Sequence, residues 1–234
     1  MLDKRTAVIL AGGLGTRLRP YTITMPKPLV PIGDKAILEI IIIQLAKWGF
    51  ERVILTVNHQ AEMIREYFGD GSKWGITVEY SLEDKPLGTM GPLKLLKDLP
   101  ENFLIMNGDV LSDIDYAAFF DKHVKSGRMF TISSFKRVNK IDYGVLHTDQ
   151  GRLVGFEEKP EMEYSVSMGI YAASKEVLEC IPDNQFYGLD SLLIENLKEK
   201  DIGTIEHDGY WMDIGRPEDY LQACDDVENG VIKI

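Results

Sequence analysis

A chain of 234 residues, 44% of them hydrophobic, is long enough to bury one full core, or a core with a lid. Its formal charge of −11 argues against a nucleic-acid or anionic-membrane partner, since either would need a basic face. Cys180 and Cys224 stand far apart, with no CxxC pair and no histidine at ligand spacing, so a reduced cytoplasmic protein without a zinc site is expected.

The elements then follow in chain order. After a short basic lead that lacks the form of a signal peptide, Ala7–Leu10 is an apolar run ending in glycines, which reads as a buried strand. A helix is predicted over about Lys35–Trp48, ended by Gly49. Ile37, Ile40, Ile41, Ile42 and Ile43 leave it apolar almost all round, which suits a helix held under a sheet more than one at a subunit interface. Its apolar stretch, Ala36–Leu45, contains Glu39 and Gln44 and is too short to span a bilayer. Arg52–Val57 is the second strand; Asn58, His59 and Gln60 lead into a helix ending near Phe68, with His59 read as a capping or solvent-facing residue.

Ile76–Tyr80 is the third strand, followed by a helix around Thr89–Lys97. Asn102–Met106 is the fourth and runs directly into Asn107, Gly108 and Asp109. A helix over Tyr116–Lys125 and a strand over Met129–Phe135 complete a β-α-β alternation, which predicts an α/β fold with a doubly wound, Rossmann-like mixed sheet that is parallel over this first half. Short strands near Tyr143–His147, Leu153–Glu157 and Val166–Ala172 predict a mixed, smaller extension. Helices follow near Lys175–Cys180, Leu189–Lys200 and Pro217–Glu228. Ligands of such sheets lie at the carboxyl ends of the strands, where a switch in strand order opens a crevice.

The chain is organised around Ala7–Lys27, AVILAGGLGTRLRPYTITMPK. Gly12, Gly13 and Gly15 let backbone come close to a ligand and let successive N–H groups point at one place, which suits phosphate oxygens. Arg17 adds a permanently charged fork, and Lys27, between Pro26 and Pro28, presents an ammonium on a stiff mount. The dinucleotide fingerprint fails because Leu18 stands where its third glycine belongs. A nicotinamide-dependent oxidoreductase, which the missing glycine counts against, is a third reading. The P-loop pattern fails because Gly15 is followed by Thr16 and Arg17.

The run L-A-G-G-x-G-T-R-L-x-P-x-T, here Leu10–Thr22, followed by P-K-P at Pro26–Pro28, resembles the sugar nucleotidyltransferase family. The resemblance covers residues 6–224 and implies a glycosyltransferase-A type fold, in a short form without the C-terminal β-helix of many members. It implies one domain over residues 1–234, with a nucleotide-binding half to about 135 and a sugar-phosphate-binding half from about 136. The activity implied is transfer of a nucleoside monophosphate from an NTP to a sugar 1-phosphate, with pyrophosphate released. A silent sensor of NDP-sugars would be expected to lose Arg17, Lys27, Asp109 or Asp213, and all four are present.

Carried over residue by residue, the resemblance assigns Leu10, Ala11, Gly12, Gly13, Gly15, Thr16, Asn107 and Gly108 to the nucleotide. It assigns Arg17 and Lys27 to catalysis. A Mg²⁺–triphosphate site needs only one or two carboxylates besides phosphate oxygens. Asp109, in G-D after the fourth strand, and Asp213, in W-x-D-I-G, are the implied Mg²⁺ ligands. Glu83-x-x-Pro86-Leu87-Gly88-Thr89-x-Gly91-Pro92-Leu93 looks like the nucleobase segment of the mannose-1-phosphate guanylyltransferase branch. It implies GTP with a mannose- or heptose-type phosphate; UTP or CTP with a hexose or amino-sugar phosphate is the alternative. Tyr143 and Gly144, Glu158 and Lys159, Ser167 and Gly169, and Trp211 are implied on the sugar-phosphate side. Ser167 departs from the asparagine common at its place. A homo-oligomer is left open.

Overall fold

The computed structural model describes residues 4–58 and 60–233. His59, read above as a cap or solvent-facing residue, lies outside the described residues. In chain order the strands are β1 (Thr6–Leu10), β2 (Pro31–Ile32), β3 (Lys35–Ala36), β4 (Arg52–Val57), β5 (Thr77–Leu82), β6 (Asn102–Asn107) and β7 (Val110–Ser112). There follow β8 (Phe130–Lys140), β9 (Gly144–Asp149), β10 (Arg152–Glu158), β11 (Glu161–Ser174), β12 (Ile202–His207) and β13 (Trp211–Asp213). The α-helices are α1 (Ile37–Lys47), α2 (Ala61–Phe68), α3 (Tyr116–Ser126), α4 (Leu189–Asn196) and α5 (Pro217–Glu228). No helix among the described residues is long and apolar enough to cross a membrane.

A seven-stranded sheet, in the order β12-β8-β11-β6-β1-β4-β5, forms the centre. Its right half is parallel, as the β-α-β alternation predicts: β1 pairs with β4 and β6, and β4 with β5. Beyond β6 the sheet turns mixed, as expected, because β11 runs antiparallel to both β6 and β8. The sheet is therefore mixed through its centre, and β12, which no sequence pattern singled out, adds a parallel edge to β8.

Alternation along the strands builds a core on each face. Ala7 and Ile9 of β1 and Leu104 and Met106 of β6 face one cluster, with α1, α2 and α3. Val8, Phe103 and Ile105 face the other, with Met90, Val177 and Leu192. The apolar α1 packs into the first cluster through Ile37, Leu38, Ile40, Ile41 and Ile42, each at most 1% exposed, while Ile43 is half-buried outside it. Its one buried charge, Glu39, accepts from Tyr67 Oη at 2.6 Å and Trp74 Nε1 at 3.2 Å. Burial pushes that carboxyl up, but these hydrogen bonds and the charge of Lys73 outweigh it and leave it below its ordinary value.

Helix was over-predicted in two places. Around Thr89–Lys97 only a 3₁₀ segment, Gly91–Leu95, forms, because the carbonyl of Tyr187 takes the N–H groups of Met90 and Gly91 at 2.9 and 3.1 Å and Pro92 offers none. Lys175–Cys180 is likewise 3₁₀. The second helix of that half, α4, stops at Asn196, short of Lys200, where the Asn196 amide donates to the Leu192 carbonyl at 2.9 Å.

His123 of α3 is 1% exposed. Its Nδ1 lies 2.8 Å from Thr131 Oγ1, while Nε2 is buried without a partner. Burial pulls its pKa down to about 4, so the unfolded chain takes up a proton near pH 6.5 that the fold refuses until about pH 4. Stability from the neutral ring is complete above pH 6.5 and falls as pH drops through that window. Urea unfolding is expected to lose about 2 kcal/mol between pH 7 and pH 5 from this group. His123→Phe should remove that part of the slope; an unchanged slope would clear His123 of the effect.

Candidate active site

Strand order reverses at β1: the chain moves from β1 to β4 and β5 on one side, then returns to β6 on the other. That switch opens a crevice at the carboxyl ends of the strands. Leu10, Thr56 and Asn107 stand level there in the β1, β4 and β6 register. The glycine loop leaves β1 at this edge, Gly108 and Asp109 leave β6, and Glu83 leaves β5.

Gly15 sits in the left-handed region at φ 62°, and a β-carbon there would lie 3.1 Å from Cβ of Lys27 and 3.0 Å from the Thr22 methyl. Only glycine passes without displacing the lysine. The Thr22 hydroxyl donates to the Gly15 carbonyl at 2.7 Å, tying the loop to the segment that carries Lys27. Pro26, extended, and Pro28 flank Lys27 in the 3₁₀ turn Lys27–Leu29. The lysine is 9% exposed, and its ammonium forms an ion pair with Asp109 Oδ2.

Asp109 and Asp213 come from distant parts of the chain and meet because β7 pairs antiparallel with β13, setting Asp213 opposite Val110. The Ile214 N–H donates to the Asp109 carbonyl at 3.0 Å and closes the pairing. Burial first, then the negative charge of Asp109, push the Asp213 carboxyl above its ordinary value, while Lys27 and Arg17 pull it back. Arg17 reaches the same spot, since a β-carbon on Gly215 would lie 3.5 Å from Asp213 Oδ2 and 3.6 Å from an Arg17 nitrogen. Asp109 Oδ1 is buried and unpartnered. Among the described residues there is no cluster of three or more His, Cys, Asp or Glu fit for a metal. A free carboxylate oxygen beside a second, poorly neutralised carboxylate is the oxygen-donor set that suits Mg²⁺ held partly by substrate phosphates.

Beside this pair lies a cleft of about 370 Å³ lined by Gly12, Gly13, Glu83, Pro86, Gly88, Thr89, Asn107 and Asp109. Glu83 crosses it: Oε2 accepts the Leu87 N–H at 3.3 Å, and Oε1 would lie 2.9 Å from a β-carbon on Gly12. Burial raises the Glu83 pKa. A larger depression of about 660 Å³ lies at the amino ends of β1 and β4. There Arg52 is spent on Glu79 and on the Asp98 carbonyl, and no residue of the glycine loop reaches it.

The family model for Nucleotidyl transferase matches residues 6–230, which take in this glycine loop, the lysine and both carboxylates. The chain belongs to that family. It is 37% identical to the D-glycero-alpha-D-manno-heptose 1-phosphate guanylyltransferase of Aneurinibacillus thermoaerophilus, over 95% of this chain and 98% of that one. It is 35% identical to the UTP–glucose-1-phosphate uridylyltransferase of Synechocystis, over 97% of this chain, but spans only 64% of that relative. Among solved structures, HddC from Yersinia pseudotuberculosis complexed with GMP-PN superposes with a TM-score of 0.72 at 28% identity, covering 95% of this chain and 99% of that chain.

In this nucleotidyl transferase Ala11 and Gly108 hold the crevice walls: the Ala11 N–H donates to the Thr56 carbonyl at 2.9 Å and the Gly108 N–H to the Leu10 carbonyl at 3.1 Å. Thr16 opens the 3₁₀ turn that carries Arg17. On the other side, Ser167 Oγ donates to Tyr171 Oη at 3.1 Å, and Gly169 packs against Asn107. The indole N–H of Trp211 donates to the Met168 carbonyl at 2.9 Å. Tyr143, Gly144, Glu158 and Lys159 are not drawn into the crevice. They lie exposed on an arm made by the β9–β10 hairpin and the outer parts of β8 and β11, with Lys159 at its turn at φ 46°. Leu14, Thr56 and Phe186 line the cleft without having been foreseen. Leu14 occupies the variable place in the glycine pattern, and nothing local marks Phe186.

Proposed function

We propose that the protein transfers a nucleoside monophosphate from GTP to a mannose- or heptose-type sugar 1-phosphate, giving the GDP-sugar and pyrophosphate. The observation that carries this reading is the Lys27–Asp109 pair, set against Asp213 and Arg17 at the mouth of a nucleoside-sized cleft. An oxygen of the sugar phosphate attacks the α-phosphorus, and the bond from that phosphorus to the β-bridging oxygen breaks. The attacking phosphate is already anionic near neutral pH, its second pKa being about 6, so no general base is needed.

Catalysis then rests on alignment and charge neutralisation. Lys27 holds the α-phosphate, Arg17 the departing pyrophosphate, and Lys159 the phosphate of the nucleophile, with Glu158 on a sugar hydroxyl. Asp109 and Asp213 would hold Mg²⁺, which when bound supplies positive charge to the phosphate oxygens. The exposed place of Lys159 means the arm must close over the sugar phosphate for that contact to form.

The base assignment rests on Glu83, whose carboxylate lies across the cleft where it can accept from guanine N1–H and the exocyclic amine. Four NTPs tested against several sugar 1-phosphates, read by pyrophosphate release, should show GTP preferred. Glu83→Gln should weaken use of GTP more than of ITP, because inosine lacks the amine. A wild-type preference for UTP or CTP, or equal losses with GTP and ITP, would remove guanine from the proposal.

A further inference from the structure

Two exposed apolar side chains stand on one cleft. Phe186 is 71% exposed and Leu14 62%, and both line the hollow of about 370 Å³ that also holds Glu83, Pro86 and Asn107. Six of the nine phenylalanines are buried, and Phe186 is the most exposed of them all. A single exposed apolar side chain is ordinary on a protein surface. An aromatic ring and an aliphatic branch on the wall of one nucleoside-sized cleft call for a partner with a flat, weakly polar face, which a nucleobase presents.

The backbone beside Phe186 is firmly held. Its neighbour Tyr187 is 5% exposed, packs in the second core cluster and donates from Oη to Glu195 Oε2 at 2.8 Å. The Tyr187 N–H donates to the Leu87 carbonyl at 2.9 Å, and the Tyr187 carbonyl takes the N–H groups of Met90 and Gly91. These bonds lay residues 185–187 along the segment that follows Glu83. Two glycines give the room. A β-carbon on Gly91 would lie 2.9 Å from the Gln185 carbonyl oxygen. One on Gly88, at φ 80°, would lie 2.8 Å from the Tyr187 carbonyl oxygen and 3.3 Å from Cε2 of Phe186. Tyr187 is thus turned into the core, and the Phe186 ring rests against Gly88 at the edge of the cleft.

We propose that the Phe186 ring stacks on the face of the nucleobase, so that the half of the chain expected to serve the sugar phosphate also closes the nucleoside cleft. The proposal deepens the transfer reading above and rests on it. Two tasks fall to two residues. Glu83 reads the edge of the base through hydrogen bonds, and edges differ from base to base. A stacked ring meets the π-face that every base has, so Phe186 supplies affinity and Glu83 the choice. Phe186 also borders a second hollow, of about 500 Å³, whose wall carries Glu179 and Glu195 but no lysine or arginine. That charge makes it a poor seat for a phosphorylated ligand, which leaves the nucleoside cleft as the place where the ring meets one.

Phe186→Ala and Phe186→Trp test this in the full chain. Calorimetric titration with GTP should show affinity weakened about tenfold in Phe186→Ala and close to wild type in Phe186→Trp, which keeps an aromatic face. ITP should lose by the same factor, because inosine retains the ring face and lacks only the amine. Tripolyphosphate, which has no base, should bind both variants as it binds the wild type. In turnover the KM for GTP should rise in Phe186→Ala while that for sugar 1-phosphate stays unchanged. The fluorescence of Phe186→Trp should be quenched by GTP beyond the wild-type change, and not by tripolyphosphate. Unchanged GTP affinity in Phe186→Ala would overturn the proposal and return the ring to the surface. Equal losses for GTP and tripolyphosphate would also overturn it, since the substitution would then act by moving the neighbouring segment. Should no NTP and sugar phosphate pair turn over in the wild type, the transfer reading fails, while the titrations still decide whether Phe186 stacks on a base.

Discussion

Asp213→Asn is expected to lower turnover on the order of 10²–10³ while leaving the melting temperature unchanged or raised, whereas Asp109→Asn should lower both. The two aspartates share a proposed role but not an environment. Asp213 carries a carboxyl whose pKa lies above its unfolded value, through burial and through the charge of Asp109. Between the two values the folded chain binds more protons than the unfolded one, so at neutral pH the ionised group works against the fold. Asparagine keeps the shape and removes that charge. Asp109, in contrast, is the counter-charge of the buried Lys27. Neutralising it strands an ammonium, which in a fully dry site costs ~3–5 kcal/mol; part-exposure of this pair reduces the figure to about 2 kcal/mol. Pyrophosphate release at saturating substrate, with thermal melts of the same samples, measures both quantities. An Asp213→Asn variant with normal turnover would sink the shared Mg²⁺ site, and equal losses of melting temperature would sink the distinction between the two carboxylates.

Lys27→Met should slow turnover by a similar factor, on the order of 10²–10³, because it removes a positioned charge from the phosphate where charge redistributes during transfer. Methionine nearly preserves the length and volume of the buried lysine side chain, so packing is retained. What is lost is the charge opposite Asp109, which then stands beside Asp213 with only Arg17 left to offset the pair. The single variant is therefore expected to melt lower than wild type. Adding Asp109→Asn to Lys27→Met should restore the melting temperature without restoring turnover, since the double variant buries no unpaired charge. That pattern separates the stabilising and catalytic parts of one ion pair by a double-mutant cycle. Turnover within a few-fold of wild type in Lys27→Met would take the ammonium away from the α-phosphate.

Both experiments turn on an ion pair that was only half legible beforehand. The stiff mount of Lys27 was visible, because proline acts on its immediate neighbours. Its partner was not, because Asp109 lies 82 positions further along the chain. The same split runs through the molecule. Local rules determined what the sequence shows by itself: the apolar runs that became β1, β4 and β6, the glycines of the phosphate loop, the all-round apolar α1, and Asp109 at the end of a buried strand. Each depends on side-chain periodicity or on the steric limits of glycine and proline, which act within a few residues. Tertiary structure decided what depends on partners far along the chain. The Tyr187 carbonyl diverted a predicted helix into a 3₁₀ turn. The antiparallel course of β11 fixed where the sheet turns mixed, and Trp211 met Phe135 only when β13 was laid beside that strand. Above all, the β7–β13 pairing carried Asp213 to Asp109. Strand partners are chosen by the closing of the whole core, which no window of neighbouring residues contains, so the site's carboxylates could be named from the sequence but only the fold could bring them together.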